Sequence, residues 1–241
     1  MKHLGVVALA LVLGISPAMA LPLVVTASGV GNDGETLKAK ATFDAVGGEL
    51  VIQLFNEGTY DPNDAGDILT ALFFDVRGNP AFTRVEAKLT LGSSVKGNGG
   101  LTDPGGVVGS EWAHKGGLSG APHGAKYGVS SAGFGLFGPG DRFPGADLQP
   151  PTSPDGVQYG VTTLADTAGN DNGSIASSGL IKNGVVFRLG NLPAGFTVDQ
   201  IANVSFQYGT GLDEINLIPE PTGFWLVASS LAVWFGIRRR V

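Results

Sequence analysis

The sequence predicts an all-β fold, an antiparallel β-sandwich or jelly roll, between two end segments of different character. Short apolar and β-branched segments recur through residues 21–217, separated by turn-forming Gly, Asn, Asp and Pro. No segment of this body has the period of a long helix. The 241 residues include no cysteine, so stability must come from burial and hydrogen bonding rather than from disulfides.

Eight segments are predicted as strands from their apolar content or their alternation. The segment 50–55 is almost continuously apolar, which suits a buried strand. The segment 84–91 alternates instead, and this pattern places Val85, Ala87, Leu89 and Leu91 on one face. The predicted strands are 23–27, 38–44, 50–55, 68–76, 84–91, 158–163, 185–189 and 204–208.

Two further segments of the body carry weaker signals. Residues 198–202 have room for one short helical turn. Residues 92–154 are dense in Gly and Pro and have too little periodicity for strands to be assigned throughout. A structureless loop of that length would be unusual in a compact domain, so we expect irregular but packed structure there. Its aromatic residues are Trp112, Tyr127, Phe134, Phe137 and Phe143.

The N-terminus has the three parts of a secretory signal peptide in order. Lys2 supplies a positive charge, residues 4–15 form a short apolar run, and Ala18 and Ala20 are the small residues that signal peptidase requires. We therefore expect residues 1–20 to be a signal peptide that is cleaved after Ala20. The alternative is a buried N-terminal helix.

The C-terminus combines a proline-rich motif, an apolar run and a basic end. Pro219, Glu220 and Pro221 precede residues 223–237, which carry no charge, and Arg238, Arg239 and Arg240 follow at once. As a helix this run reaches only about 22 Å, against roughly 30 Å of hydrocarbon, so it predicts a marginal transmembrane helix. The arginines would remain on the cytoplasmic side of the membrane. The two prolines keep the motif extended and open to a protease.

These C-terminal features together resemble the PEP-CTERM sorting signal of exosortase-dependent bacterial proteins. The resemblance implies that exosortase, a separate membrane protein, cuts near Pro219–Pro221. It also implies that the product reaches the cell envelope, the cell surface or the extracellular matrix of a Gram-negative-type bacterium. A plain tail anchor is the alternative. The chain would then comprise a signal peptide (1–20), a β-rich extracellular domain (21–217) and a sorting signal (218–241).

The body itself is similar to one subfamily of exosortase-dependent surface proteins. Four phrases carry this resemblance, at residues 67–75, 127–141, 153–160 and 204–210, and it covers most of residues 36–212. The resemblance implies a location for the protein rather than an activity.

Composition narrows the functions of the body. Residues 21–219 hold 11 Lys and Arg against 20 Asp and Glu, a net charge of −9, so nucleic acid is not expected as a partner. The lack of cysteine excludes thiol catalysis and cysteine-bound zinc. His114 and His123 are the histidines of the body, and their spacing matches no metal motif.

Three candidate chemistries remain. Paired carboxylates for glycoside hydrolysis would come from Asp67, Asp75, Glu111, Asp141 and Asp155, although such residues beside Gly or Pro are more typical of turns. The oxygen-rich segments 61–67 and 170–173 make calcium the candidate ligand, with ordinary Asx turns as the alternative. Trp112 has polar neighbours and suits stacking on a sugar if exposed, whereas a large aromatic is more often core.

The sequence therefore predicts an exported, non-catalytic surface or matrix protein with a structural or adhesive role, and no cofactor. The expected partners are signal peptidase, exosortase and, before cleavage, the membrane. The alternative is a polysaccharide-binding module that recognises an exopolysaccharide, with calcium as a candidate ligand. A secreted hydrolase is the third and weakest hypothesis.

Overall fold

The computed structural model describes residues 21–97, 106–138, 148, 154, 156–167, 169 and 171–220. This part of the chain forms thirteen strands in two sheets, together with three single-turn 3₁₀-helices and no α-helix. The all-β prediction is confirmed. No helix among these residues is long and apolar enough to cross a membrane. The predicted signal peptide and the apolar segment 223–237 lie outside the described residues.

The strands are short to medium in length and follow the chain in order. They are β1 (Leu23–Val30), β2 (Thr36–Val46), β3 (Glu49–Asn56), β4 (Leu69–Val76), β5 (Thr83–Leu89), β6 (Ser94–Lys96), β7 (Ala113–Gly116), β8 (Tyr127–Ser130), β9 (Val161–Thr162), β10 (Leu180–Lys182), β11 (Gly184–Gly190), β12 (Ile201–Tyr208) and β13 (Asn216–Leu217). The 3₁₀-helices are Ala65–Asp67, Pro122–Gly124 and Val198–Gln200.

The first sheet has five antiparallel strands in the order β1-β2-β3-β11-β5. The second follows the order β13-β12-β4-β9-β10-β6, while β8 also pairs with β4 and β7 with β8. Its pairings are antiparallel except for β9 with β10. The two-sheet, sandwich-like form that both predicted alternatives share is therefore present.

The main core lies between the facing sides of the two sheets. Alternate residues of β2, such as Leu37 and Phe43, are fully buried, and burial of each such side chain contributes about 1.5–3 kcal/mol. Phe43 of the first sheet meets Phe74 of the second edge-to-face, with the ring centroids 5.5 Å apart. Contacts of this kind hold the two layers together.

Strand β4 is buried on both faces because a second cluster covers its outer side. Leu72 and Phe74 point into the main core, whereas Ala71 and Phe73 pack against Phe137 and its neighbours. The covering residues come from the segment 113–137, which the sequence predicted to be irregular but packed. That prediction is confirmed for the described residues, although β7 and β8 within this segment, and β6 before it, were not predicted.

Two sequence-based strand assignments need correction. Only Val161–Thr162 of the predicted strand 158–163 is a strand. The predicted apolar face of 84–91 is also wrong in part: Ala87 is buried, but Val85 is 38% and Leu91 101% exposed. Val85 is exposed because β5 is the edge strand of the first sheet, and Leu91 is exposed because it lies beyond the end of that strand.

Candidate functional site

A cleft of about 790 Å³ opens beside the start of β5 and the β7–β8 hairpin. Three elements form its walls: residues 79–82 before β5, residues 114–117 around the end of β7, and the start of β8. The volume lies within the roughly 300–1,000 Å³ that small-ligand sites occupy. The charged and aromatic side chains that line it are Arg84, Lys115, Lys126, Phe82, Tyr127 and Phe137.

The β7–β8 hairpin positions two of the lysines. Lys115 pairs with Gly128 in the ladder, and the chain leaves β7 through Gly117, whose φ of +67° favours glycine. Lys126 immediately precedes β8, and its backbone N–H donates to Asp75 Oδ1 of β4 at 2.7 Å. The backbones that carry the two ammonium groups are therefore anchored to the second sheet.

Aromatic packing connects the segment before β5 to this hairpin. The Phe82 ring meets Tyr127 edge-to-face at 5.6 Å and the His114 ring at 6.3 Å. Tyr127 Oη donates to the Pro80 carbonyl at 2.8 Å. Tyr127 is nearly buried, whereas Phe82 is only half-buried, so Phe82 presents apolar surface to the cleft.

His114 lies in the cleft wall as a neutral imidazole. Its side chain is 6% exposed, and Nδ1 lies 3.1 Å from the Gly128 carbonyl oxygen. A carbonyl only accepts, so Nδ1 carries the proton and donates it. Burial lowers the pKa of His114 to about 4, and the nearby positive charge of Arg84 acts in the same direction. His114 therefore adds no positive charge to the cleft at neutral pH.

The positively charged residues that line the cleft are Arg84, Lys115 and Lys126. All three are exposed to solvent. Lys115 Nζ donates to the Leu136 carbonyl at 2.5 Å, a contact that leaves its positive charge uncompensated because a carbonyl carries no formal charge. None of the described residues that line the cleft is acidic. Elsewhere in the described residues, ion pairs join Lys38 and Lys40 to Glu57, Lys88 to Glu86, Lys96 to Asp166 and Asp171, and Arg188 to Glu49.

Three of the five sequence-predicted acids, Asp67, Asp75 and Glu111, lie within the described residues. Asp67 precedes β4 and Asp75 lies near the end of this strand. The two residues are about 26 Å apart along an extended chain, well beyond the roughly 5–10 Å that glycoside hydrolysis needs. Asp75 accepts from the Lys126 backbone and, at 3.0 Å, from Asn203 Nδ2. Glu111 is buried at 2% exposure. Asp141 and Asp155 lie outside the described residues.

Asp67 has a structural environment at the turn that precedes β4. Its Oδ2 accepts from the backbone of Asn63 at 2.9 Å, and Asp64 caps the same 3₁₀-helix. Burial raises the pKa of Asp67, and the Glu35 carboxyl beside it adds to the effect. The segment 61–67 thus uses its oxygens to hold its own backbone, as an Asx-type turn does.

The two segments considered for calcium direct their carboxylates at protein donors. Asp61 accepts from Thr167 N and Oγ1, both at 2.6 Å. Asp171 Oδ1 lies 2.8 Å from Lys96 Nζ, which also contacts the buried Asp166. The lysine ammonium group therefore occupies the position beside these carboxylates that a calcium ion would need. Among the described residues, no three His, Cys, Asp or Glu side chains are grouped to hold a metal. Asn170 falls outside this part of the chain.

Trp112 is not available to a sugar. Its ring is fully buried, packs on Phe187 at 4.9 Å, and donates from Nε1 to the Tyr159 carbonyl at 3.0 Å. The interpretation of Trp112 as core is confirmed, and its proposed exposure for glycan stacking is wrong. The loops that cover it could not be inferred from its polar neighbours in sequence.

The two predicted processing junctions lie at the margins of the described fold. Leu21 is 85% exposed and precedes β1, whereas Pro219 is half-buried and Glu220 exposed just after β13. The other predicted processing residues lie outside the described part of the chain: Ala18, Ala20, Pro221, Arg238, Arg239 and Arg240.

Comparisons with protein-family models, with curated proteins and with solved structures find no match to this chain. The cationic cleft was also missed by sequence reasoning. Arg84, Lys115 and Lys126 are far apart in the chain, and no spacing rule links them. The one available signal was indirect: few basic residues occur in an acidic body, and Lys115 directly precedes the Gly116-Gly117 turn.

Proposed function

We propose that this chain is an exported, non-catalytic component of the cell surface or extracellular matrix, with a structural or adhesive role. The observation that carries the proposal is the C-terminal order of Pro219-Glu220-Pro221, an uncharged apolar run, and Arg238–Arg240, in a chain that begins with a signal-peptide pattern. Signal peptidase and exosortase are its processing partners. The apolar run holds the chain in the inner membrane until it is cut.

The margins of the fold support processing at both ends. Cleavage after Ala20 would leave β1 intact, since the strand begins at Leu23. Cleavage near Pro219–Pro221 would leave β13 intact, since that strand ends at Leu217 and Glu220 is exposed. Removal of both signals is therefore compatible with a folded domain of residues 21–217.

Fractionation of a host that contains an exosortase tests this proposal. We expect the wild-type protein at the cell surface or in the matrix, and a Glu220→Ala variant, or an exosortase deletion, to leave it in the inner membrane. Asp199→Ala removes an exposed carboxylate far from the motif in sequence and is the matched control. Identical fractionation of wild type and Glu220→Ala would refute sorting through this motif.

A second candidate function, favoured by the cleft, is recognition of an exopolysaccharide. The cleft has the volume of a small-ligand site and combines aromatic side chains with polar and charged ones, which supports ligand binding. Because Asp61 and Asp171 are directed at protein donors, we expect binding to survive a calcium chelator. A glycan array screened with and without chelator, and an assay for release of sugar from bound glycans, tests both points.

A further inference from the structure

We infer that Lys96 and Asp166 become joined by an amide bond between Nζ and Cγ, which forms by loss of water inside the folded domain. Lys96 is the last residue of β6, and Asp166 follows β9 in the chain. Three buried side chains, those of Lys96, Asp166 and Asp171, make up the reacting group. The covalent modification is independent of exosortase sorting and of the cleft.

The side chains of Lys96 and Asp166 meet in a buried setting. Lys96 Nζ contacts Asp166 Oδ1, and the two side chains are 12% and 0% exposed. Two further contacts fix Asp166: Thr162 Oγ1 donates to its Oδ2, and Lys182 Nζ donates to its backbone carbonyl at 2.7 Å. Strand pairing supports this arrangement, since β10 lies between β6 and β9 in the second sheet. The fold therefore holds the amine and the carboxyl group in contact.

Burial and proximity favour an amide over the ion pair that the same two groups form in water. Removing opposite charges from water is costly, and a neutral amide avoids that cost. Groups held in reacting geometry behave as if their concentration were roughly 10⁵–10⁸ M. Lys40 and Glu57 also touch, but their side chains are 29% and 27% exposed, so water competes there. We expect no condensation at that exposed pair.

Asp171 supplies the proton transfer that condensation requires. Its Oδ1 and Oδ2 lie 2.8 and 3.0 Å from Lys96 Nζ, and its side chain is 5% exposed. Burial lowers the pKa of Lys96, but the hydrogen bonds from Nζ to Asp166 and Asp171 raise it above its ordinary value, so the reaction starts from the ammonium ion. A reaction that each molecule completes once tolerates the small fraction of neutral amine that this implies.

The reaction balances in atoms and charge. Asp171 takes one proton from the ammonium group, and the neutral amine attacks Asp166 Cγ. The bond from Nζ to Cγ forms as the bond from Cγ to Oδ1 breaks, and Oδ1 leaves as water with the proton from Asp171 and a second proton from Nζ. Oδ2 becomes the amide oxygen, and Thr162 Oγ1 donates to it while negative charge develops there. Asp171 ends as a carboxylate, as it began.

Such a bond would brace a chain that has no disulfide. The sequence contains no cysteine, and Lys96 and Asp166 are 70 residues apart. A cross-link that closes a long loop stabilises a fold mainly by restricting the unfolded chain. The loop closed here contains the β7–β8 hairpin. Unlike a disulfide, the amide bond forms without an oxidant and is not broken by a reductant.

Peptide mapping of protein purified from full-chain expression tests the inference. The protein is unfolded in denaturant, digested with trypsin and analysed by tandem mass spectrometry. We expect no cut after Lys96, and a branched peptide that joins residues 89–115 to residues 143–182 and is lighter than their sum by one water molecule. Lys40 is the internal control, since it also contacts a carboxylate but should be cut normally. Complete cleavage after Lys96, with residues 143–182 recovered at their unmodified mass, would overturn the inference.

Two variants test the roles of the individual side chains. Lys96→Arg keeps a positive charge beside the two carboxylates but lacks the amine, so it should yield no branched peptide and unfold at a lower temperature than the wild type. Asp171→Asn removes the proton acceptor and should lower the branched fraction of freshly made protein by about tenfold or more. A branched peptide in Lys96→Arg would overturn the assignment to Lys96, and an unchanged fraction in Asp171→Asn would overturn the role of Asp171. The wild-type digest decides the bond itself even where a variant fails to fold.

Discussion

Mild acid should destabilise the fold through His114, whose imidazole is buried and neutral. In the folded protein its pKa is lowered to about 4 from the ordinary value of 6.5, first by burial and then by the charge of Arg84. A group whose folded-state pKa is lowered in this way, when its charged form is the cation, binds its proton more readily in the unfolded chain. Stability is therefore greatest above pH 6.5 and falls as the pH drops from 6.5 toward 4.

The size of the effect follows from the difference between the two pKa values. Linkage gives a loss of about 2 kcal/mol at pH 5, approaching roughly 3 kcal/mol at pH 4. The typical free energy of unfolding is only about 5–15 kcal/mol, so this loss should be readily measured. His114→Asn keeps an amide donor near the Gly128 carbonyl without a titrating group, and it should lack this loss.

Urea unfolding followed by circular dichroism at several values between pH 7.5 and 4 provides the measurement. The difference in unfolding free energy between wild type and His114→Asn should change by about 2 kcal/mol between pH 7.5 and pH 5. His123→Asn is the control, because asparagine tolerates the positive φ of this exposed residue and His114 stays in place, so this variant should keep the loss of stability that His114 causes. Parallel curves for wild type and His114→Asn would refute the buried neutral state of His114.

Three further predictions concern buried groups. Lys96→Met should cost roughly 3–5 kcal/mol of unfolding free energy, because it leaves the fully buried carboxylate of Asp166 uncompensated, and adding Asp166→Asn should restore part of the loss. Gly128→Ala should cost about 1–3 kcal/mol, measured by thermal unfolding, since its Cβ would lie 2.9 Å from the Phe73 ring. Asp67→Asn should flatten the stability profile above pH 3.8: burial raises the pKa of Asp67, so its stabilising contribution is complete below pH 3.8 and is lost as the pH rises through the raised pKa. Unchanged unfolding of the first two variants, or an unchanged pH profile of the third, would contradict these assignments.

Strands with a regular apolar pattern were readable from sequence. The predicted segments 38–44 and 50–55 lie within β2 and β3, where alternate side chains enter the main core. Strands β7 and β8 were not readable, because their short sequences lack a clear period and their pairing depends on the distant β4. Local pattern identifies strands that face one core, but not strands held by long-range partners.

The candidate site could not be predicted from the sequence either, because its residues come from segments that are distant in the chain. Phe82, Lys115 and Lys126 come together only because the hairpin and the segment before β5 pack beside one another. Trp112 shows the opposite error: polar neighbours in sequence suggested exposure, yet loops and the Phe187 ring enclose it. Asp171 was considered for calcium because sequence could not reveal that Lys96 reaches it.

The central claim is that both ends of this chain are removed during export and sorting. Mass spectrometry of the protein recovered from the surface fraction of an exosortase-containing host measures both termini at once. We predict a mature N-terminus at Leu21 and a C-terminus near Pro219–Pro221. A surface protein that still ends in Arg238–Arg240, or a chain recovered uncut from the inner membrane, would contradict the account and indicate a simple tail anchor.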